Sequence, residues 1–212
     1  MQILTLGKNL SMTSSLSTEQ QTHQSVPSET QTQEQGWAKA AQKGDQTAFM
    51  NIVEAYQRPV YNLCYRMLND SAEAEDAAQE TFLRAYTKLK SYQPGRKFSA
   101  WLFSIASHYC IDRLRRRRHP TISWDELPPW RGVPAEEPEP EDAALAREAT
   151  SVLHTLLNEL APDYRAAVVL RYWHEMSYDE IAETLDTSVS AIKSRLFRAK
   201  QMMGQQMQMI EA

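Results

Sequence analysis

Six of the chain's 10 prolines (Pro120, Pro128, Pro129, Pro134, Pro138 and Pro140) fall between His119 and Asp142, and no continuous helix can cross them. Between Asp125 and Asp142 the same stretch carries seven acids (Asp125, Glu126, Glu136, Glu137, Glu139, Glu141, Asp142) against Arg131 alone. Proline stiffness and like-charge repulsion together favour an extended segment, which divides the 212 residues into two helical units. The predicted fold class is all-α: two small helical domains joined by an extended acidic, proline-rich linker at 119–142. Trp124 and Trp130 are unexpected in a pure spacer. They dock on a domain or partner, or are merely tolerated.

The formal net charge of −4 averages this acidic linker with a strongly basic surface. From Arg84 to Arg118 the basic residues are Arg84, Lys88, Lys90, Arg96, Lys97, Arg113, Arg115, Arg116, Arg117 and Arg118, against Asp112 alone. That local excess of about +9 is of the kind that neutralises phosphates. Phe98, Trp101, Phe103 and Tyr109 precede the arginine run at near-helical spacing. Buried, such rings are core; exposed beside arginine, they suit unstacked bases.

Residues 1–35 are rich in Ser, Thr and Gln, with few large apolar side chains after Leu16, and are expected to be disordered. Asp45 is a candidate N-cap for a helix whose apolar seam runs from Phe49 to Met67, with Pro59 expected to kink or split it. Ser71 is the expected cap of the next helix, where Ala74, Ala78, Phe82, Ala85 and Leu89 point inward. Its other face carries Asp76, Gln79, Glu80 and Arg84, which spacing alone reads as solvated. Tyr92–Gly95 forms a turn, and the basic-aromatic helix follows from Ser99.

Beyond the linker, Leu145, Ala149, Val152, Leu153, Leu156, Leu157 and Leu160 form one helical face, and Pro162 opens another helix. Ser177-Tyr178-Asp179-Glu180 has the form of a capping box. A short helix to Leu185 then meets a turn at Asp186-Thr187-Ser188, where Asp186 must adopt a left-handed conformation. A longer helix follows, with no acid from Ser188 to Gly204. Short helix, tight turn and longer helix form a helix-turn-helix pattern. The outer face of the second helix offers Ser190, Lys193, Ser194, Arg195 and Arg198, short polar and basic groups suited to base edges and phosphates. A helical hairpin with a solvated basic face is the alternative.

Three blocks, AEDAAQETFLRAY (Ala74–Tyr86), FSAWLFSIASHYCIDRLRRRR (Phe98–Arg118) and LRYWHEMSYDEIAETLDTSVSAIKSRLFRAK (Leu170–Lys200), together resemble the extracytoplasmic-function subfamily of sigma-70-type bacterial transcription initiation factors. The resemblance spans about Gly44 to Met203. It implies region two at 36–118 and region four at 143–206, with a short tail at 207–212 and no intermediate region three. It further implies that Asp76, Gln79 and Glu80 dock on the clamp helices of the polymerase β′ subunit. Trp101, His108, Arg113, Arg115, Arg116 and Arg117 would then open the promoter and read its minus-ten element. Ser190, Lys193, Ser194, Arg195 and Arg198 would read the minus-thirty-five element. His108 stands where many relatives have asparagine, and Asp186 and Ser190 lie where glycine is common. The implied partners are bacterial core RNA polymerase (β′ and β), promoter DNA and an anti-sigma factor. The chain is expected to be a cytoplasmic monomer when free of partners.

The alternative function is a stand-alone helix-turn-helix regulator, which leaves Ala74–Arg118 unused and normally needs a dimer. Catalysis has no support. His23, His108, His119, His154 and His174 lack metal-ligand spacing, and no phosphate-cradling glycine loop or nucleophile motif is present. No cofactor is expected. Cys64 and Cys110 sit in apolar helical patterns and read as buried, reduced thiols. No apolar run is long enough to span a membrane, so no membrane insertion is expected.

Overall fold

The structure, a computed structural model, describes residues 29–118 and 152–210. The expectations for the leader before residue 29, the linker at 119–142 and the helical face at 143–151 lie outside the described residues. The helices are α1 (Glu29–Gln42), α2 (Gln46–Leu68), α3 (Ser71–Lys88), α4 (Phe98–Arg118), α5 over 152–159, α6 (Pro162–Tyr172), α7 (Tyr178–Thr184) and α8 (Val189–Ile210). A 3-10 turn, Leu89–Ser91, follows α3. Among the described residues there is no strand, and no helix is long and apolar enough to cross a membrane.

The first four helices pack around Ile52, Val60, Leu63, Met67, Phe98 and Leu102, all essentially inaccessible. Burying each such side chain contributes about 1.5–3 kcal/mol before chain entropy is counted. Asp45 caps α2 as expected, its carboxylate accepting from the Ala48 N–H at 3.1 Å. Pro59 does not split α2, because Tyr56, Val60, Leu63 and Cys64 bury one face on both sides of it. That burial outweighs the cost of an interior proline, about 3 kcal/mol. Asn69 then ends α2 at φ 54°, its N–H bonded to the Tyr65 carbonyl.

Two boundaries differ from expectation at this end. Asp70 rather than Ser71 caps α3, accepting from the Glu73 N–H at 2.9 Å; the charged acceptor also favours the positive end of the helix dipole. Helix α1 begins at Glu29, inside the stretch expected to lack order. It is tied down by polar contacts that composition does not reveal. The Tyr56 hydroxyl, pushed up in pKa by burial and then by its hydrogen bond to Glu34, joins α1 to α2. Gln42 Nε2 donates to the carbonyls of Leu89 at 2.9 Å and Tyr92 at 2.8 Å, fixing the turn that leads into α4.

The second unit places Leu156, Leu157 and Leu160 against α6 and α8. Helix α8 runs to Ile210, past the boundary expected at 206. Cys64 and Cys110 are both free and buried, and Cys110's thiol is pushed up by a hydrogen bond to Cys64 and by burial.

The main departure from the sequence reading is that the two units share a core. Ala166, Val169, Leu170, Ile181 and Ile192 belong to one buried cluster with the residues of α2, α3 and α4. Arg165 on α6, only 3% exposed, donates to the Met67 carbonyl of α2 at 2.5 Å and to the Asn158 carbonyl at 2.8 Å. The His174 ring lies 4.4 Å from Phe103, His154 lies 4.9 Å from Tyr65, and Arg66 stacks over Trp173 at 5.0 Å. Spacing alone cannot reveal such contacts, because they join residues on opposite sides of the linker.

Burial, reinforced by the Arg66 charge, lowers the His174 pKa to about 4, and its Nε2 is buried without a hydrogen-bond partner. Burial lowers the His154 pKa too, with Arg66 and Arg165 adding to the effect. Both rings are therefore held neutral in the fold, and the unfolded chain binds more protons below its ordinary histidine pKa of 6.5. Stability is present above that pH and is lost as pH falls from 6.5 towards about 4. The His174 share of that loss is on the order of 3 kcal/mol. Urea midpoints measured across this window should fall with pH, and His174→Phe should flatten the slope; an unchanged slope would refute the assignment.

Candidate nucleic-acid interface

Helix α3 turns Ala74, Ala77, Ala78, Thr81 and Ala85 inward, leaving Asp76 and Gln79 exposed on its outer side. Glu80 is half-buried and pairs with Arg84 at 2.6 Å, and Arg84 in turn stacks over Tyr109 at 4.9 Å. Leu83 and Tyr86 are 63% and 53% exposed on this helix. Sequence reasoning missed both. Their signal was spacing: Leu83 follows Gln79 by four residues and Glu80 by three, which puts it off the inward stripe.

Helix α4 is divided between core and surface. Phe98 and Phe103 are buried, and Trp101 is half-buried with its ring 5.4 Å from both Tyr92 and Phe98. His108 is exposed, with Nδ1 2.7 Å from the Ser104 carbonyl. The arginine run is less free than its charge suggests. Arg113 pairs with Glu73 at 3.0 Å, and Arg117 reaches the same carboxylate. Arg115 pairs with Asp163 of α6 at 3.0 Å. Arg116 is exposed. Glu73 and Asp163 are thus the two unanticipated members of this surface. Glu73 stands 40 residues from Arg113 in the chain, and Asp163 lies across the linker.

The helix-turn-helix forms as the local chemistry dictates. Ser177 Oγ accepts from the Glu180 N–H at 3.2 Å, and Glu180 accepts from the Ser177 N–H at 2.7 Å, closing the capping box. Asp186 takes the left-handed conformation at φ 48°, as expected, and Glu175 does so at φ 52°. Ser188 Oγ accepts from the Ala191 N–H at 3.2 Å and starts α8, whose Ile192 and Ala199 are fully buried. Ser190, Lys193, Ser194 and Arg198 are exposed. Arg195 is half-buried, 3.8 Å from Asp163, and Arg198 contacts the Tyr164 hydroxyl at 3.4 Å. Phe197 is 62% exposed on the same helix, between the cations.

Burial pushes the Glu180 carboxyl up, but the hydrogen bonds from Lys97 and Ser177 outweigh it and hold the group below its ordinary value. Glu180 therefore stays anionic as an acceptor for Lys97, 2.5 Å away. Among the described residues, no group of three or more metal-ligating side chains comes together.

A helix-turn-helix beside a second, cationic and aromatic helical unit defines a two-part DNA-binding protein. The family model of Sigma-70 region 2 matches residues 52–119, and that of Sigma-70, region 4 matches residues 151–203. The ECF RNA polymerase sigma factor SigW of Bacillus subtilis (strain 168) is 37% identical over 175 residues, covering 80% of this chain and 94% of that protein. The RNA polymerase sigma-H factor of Pseudomonas aeruginosa is 32% identical over 185 residues, covering 81% and 92%. The structure of CnrH in complex with the cytosolic domain of CnrY has the same fold, with a TM-score of 0.64 at 24% identity, covering 83% of this chain and 97% of that one. The chain belongs to the extracytoplasmic-function family of RNA polymerase sigma factors. Its function is to direct core polymerase to promoters, and it is not an enzyme.

Glu73 pairs with two guanidiniums of the basic run, Arg113 and Arg117. Glu73→Gln should tighten binding to a short duplex and steepen the dependence of log affinity on log salt by about one to two. Fluorescence anisotropy across a salt series measures both; an unchanged slope would show that Arg113 and Arg117 do not reach DNA.

Proposed function

We propose that Asp76, Gln79 and Glu80, extended by Leu83 and Tyr86, form the surface that docks on the β′ clamp of core polymerase. Trp101, His108, Arg113, Arg115, Arg116 and Arg117 serve the minus-ten element, and Ser190, Lys193, Ser194, Arg195 and Arg198 the minus-thirty-five element. Region two occupies 36–118 and region four 143–206, joined by the linker at 119–142. The reading is supported chiefly by Asp76 and Gln79, which stand exposed beside Leu83 and Tyr86 on one helix. Large exposed apolar groups rimmed by acids mark a protein-binding surface, whereas DNA would be repelled there.

On this reading the protein acts in the cytoplasm, where polymerase and promoter are. An anti-sigma protein is expected to hold it. The solved relatives CnrH and the RpoE of Bartonella quintana were each captured with a partner, the latter with the anti-sigma factor NepR. A stand-alone regulator would leave the docking face on α3 without a role.

Replacing Asp76 and Glu80 by lysine should abolish co-purification with core polymerase while the circular dichroism melt stays that of a folded helical protein. Retained association would remove this face from the interface. Independently, Arg195→Ala and Arg198→Ala should each weaken promoter binding by the holoenzyme and lower its salt slope by about one. An unaltered slope would take α8 off the DNA.

A further inference from the structure

The chain enters α4 through a buried turn, and a side chain of α1 holds that turn. Leu89 and Tyr92 are 3% and 2% exposed, so bulk water does not serve their carbonyls. Both lie at the 3-10 turn that follows α3, between two helices. Gln42, partly buried at the end of α1, donates Nε2 to the Leu89 carbonyl at 2.9 Å and to the Tyr92 carbonyl at 2.8 Å. A primary amide has two N–H donors, and here both are used. Buried carbonyls are costly to leave unpaired, so the clamp is strict about where the segment sits. Gathering two carbonyls of one short segment on one nitrogen also fixes its curvature.

Tyr92 passes that constraint on to α4. Its hydroxyl donates to the Arg96 carbonyl at 2.7 Å, and its ring lies 5.2 Å from Phe98 and 5.4 Å from Trp101. Phe98 and Trp101 are themselves 5.4 Å apart, so the three rings form a triangle. Tyr92 and Phe98 are its buried corners, and Trp101 is the half-buried one. The accessible part of the indole therefore rests on a ring whose backbone Gln42 clamps. A second strap runs from the same helix: the Tyr56 hydroxyl, hydrogen-bonded to Glu34 of α1, also meets Ser99 in the first turn of α4. A side chain that is to receive an unstacked base has to be held to within about 0.5 Å by the groups behind it.

We propose that Gln42 is a positioning residue for promoter opening: its amide sets the Leu89–Tyr92 turn, the turn sets the Tyr92 ring, and that ring holds Trp101 in the orientation that receives an unpaired base. The proposal rests on the assignment of Trp101 to the minus-ten element. Gln42 touches no DNA on this account and acts through two other side chains. It also stands outside residues 52–119, which the region 2 family model matches. A glutamine that merely closed the end of α1 would affect stability alone, whereas a positioning glutamine also moves the indole and the opening step.

Gln42→Met keeps the length of the side chain and removes both donors. Ala38→Gly, on the fully buried face of the same helix, weakens α1 without touching the turn and serves as the stability control. Full-length chains carrying fluorotryptophan are compared by fluorine NMR, with the Trp101 resonance assigned through Trp101→Phe. Holoenzymes are compared by the rate at which they unpair a duplex that the wild-type holoenzyme has selected from a random-sequence library. Gln42→Met should shift the Trp101 resonance and slow unpairing about tenfold, the scale of two neutral hydrogen bonds, at unchanged affinity for the closed duplex. Ala38→Gly should do neither. An unmoved Trp101 resonance, or equal slowing by Ala38→Gly, overturns the proposal. So does wild-type unpairing by Gln42→Met where Trp101→Ala is slow. Wild-type unpairing by Trp101→Ala instead removes Trp101 from opening, and overturns the reading on which the proposal rests.

Discussion

The guanidinium of Arg165 ties the two halves of the molecule together at their helix ends. The last carbonyls of a helix have no partner within it and carry its negative partial charge. Met67 lies one residue before the end of α2, and Asn158 one residue before the end of α5. Arg165 donates to both, so one buried cation completes the C-termini of two helices from opposite sides of the linker. A charge only 3% exposed is costly unless hydrogen-bonded, which makes this contact strict about geometry. The apolar groups around it, Met67, Leu160, Ala166 and Val169, are buried in turn.

Around that pin, the chain's electrostatics resolve into local neutralisations. A net charge of −4 is an unlikely-looking total for a protein that binds DNA, yet the total is not what a phosphate meets. Glu73 balances Arg113 and Arg117 within the first unit, while Asp163, Glu180 and Glu183 balance Arg115, Lys97 and Arg96 between units. Each pair is partly exposed and individually weak, about 0–1 kcal/mol. The basic surface is therefore stored in exchangeable form rather than cancelled.

What the sequence made legible was local. The capping box at Ser177 and Glu180, the Asp45 cap, the left-handed Asp186 and the inward stripe of α3 follow from interactions over three or four residues. The Asp70 cap was missed by one position, because a serine and an aspartate stood side by side and both can accept the first free N–H groups. The start of α1 was missed because its anchors, Glu34 to Tyr56 and Gln42 to Leu89 and Tyr92, are tertiary. The shared core was missed for a similar reason. A proline-rich segment argues for a break in the helical pattern, but such a break does not keep the flanking units apart when both carry complementary faces. Of the candidate site, the residue types on α3, α4 and α8 were legible, whereas their internal partners Glu73 and Asp163 were not.

The closed arrangement treats the two kinds of surface differently. Asp76, Gln79, Leu83 and Tyr86 stay exposed while the units are packed together, but Arg96, Lys97 and Arg115 are paired. On the functional reading given above, the face for polymerase stands open while cations of the basic surface are paired. A chain that exposed both surfaces at once would be drawn to any duplex through its arginine run, because phosphate contacts carry no sequence information. Keeping those cations on carboxylates lowers the attraction to DNA in general and leaves the exposed face of α3 unchanged.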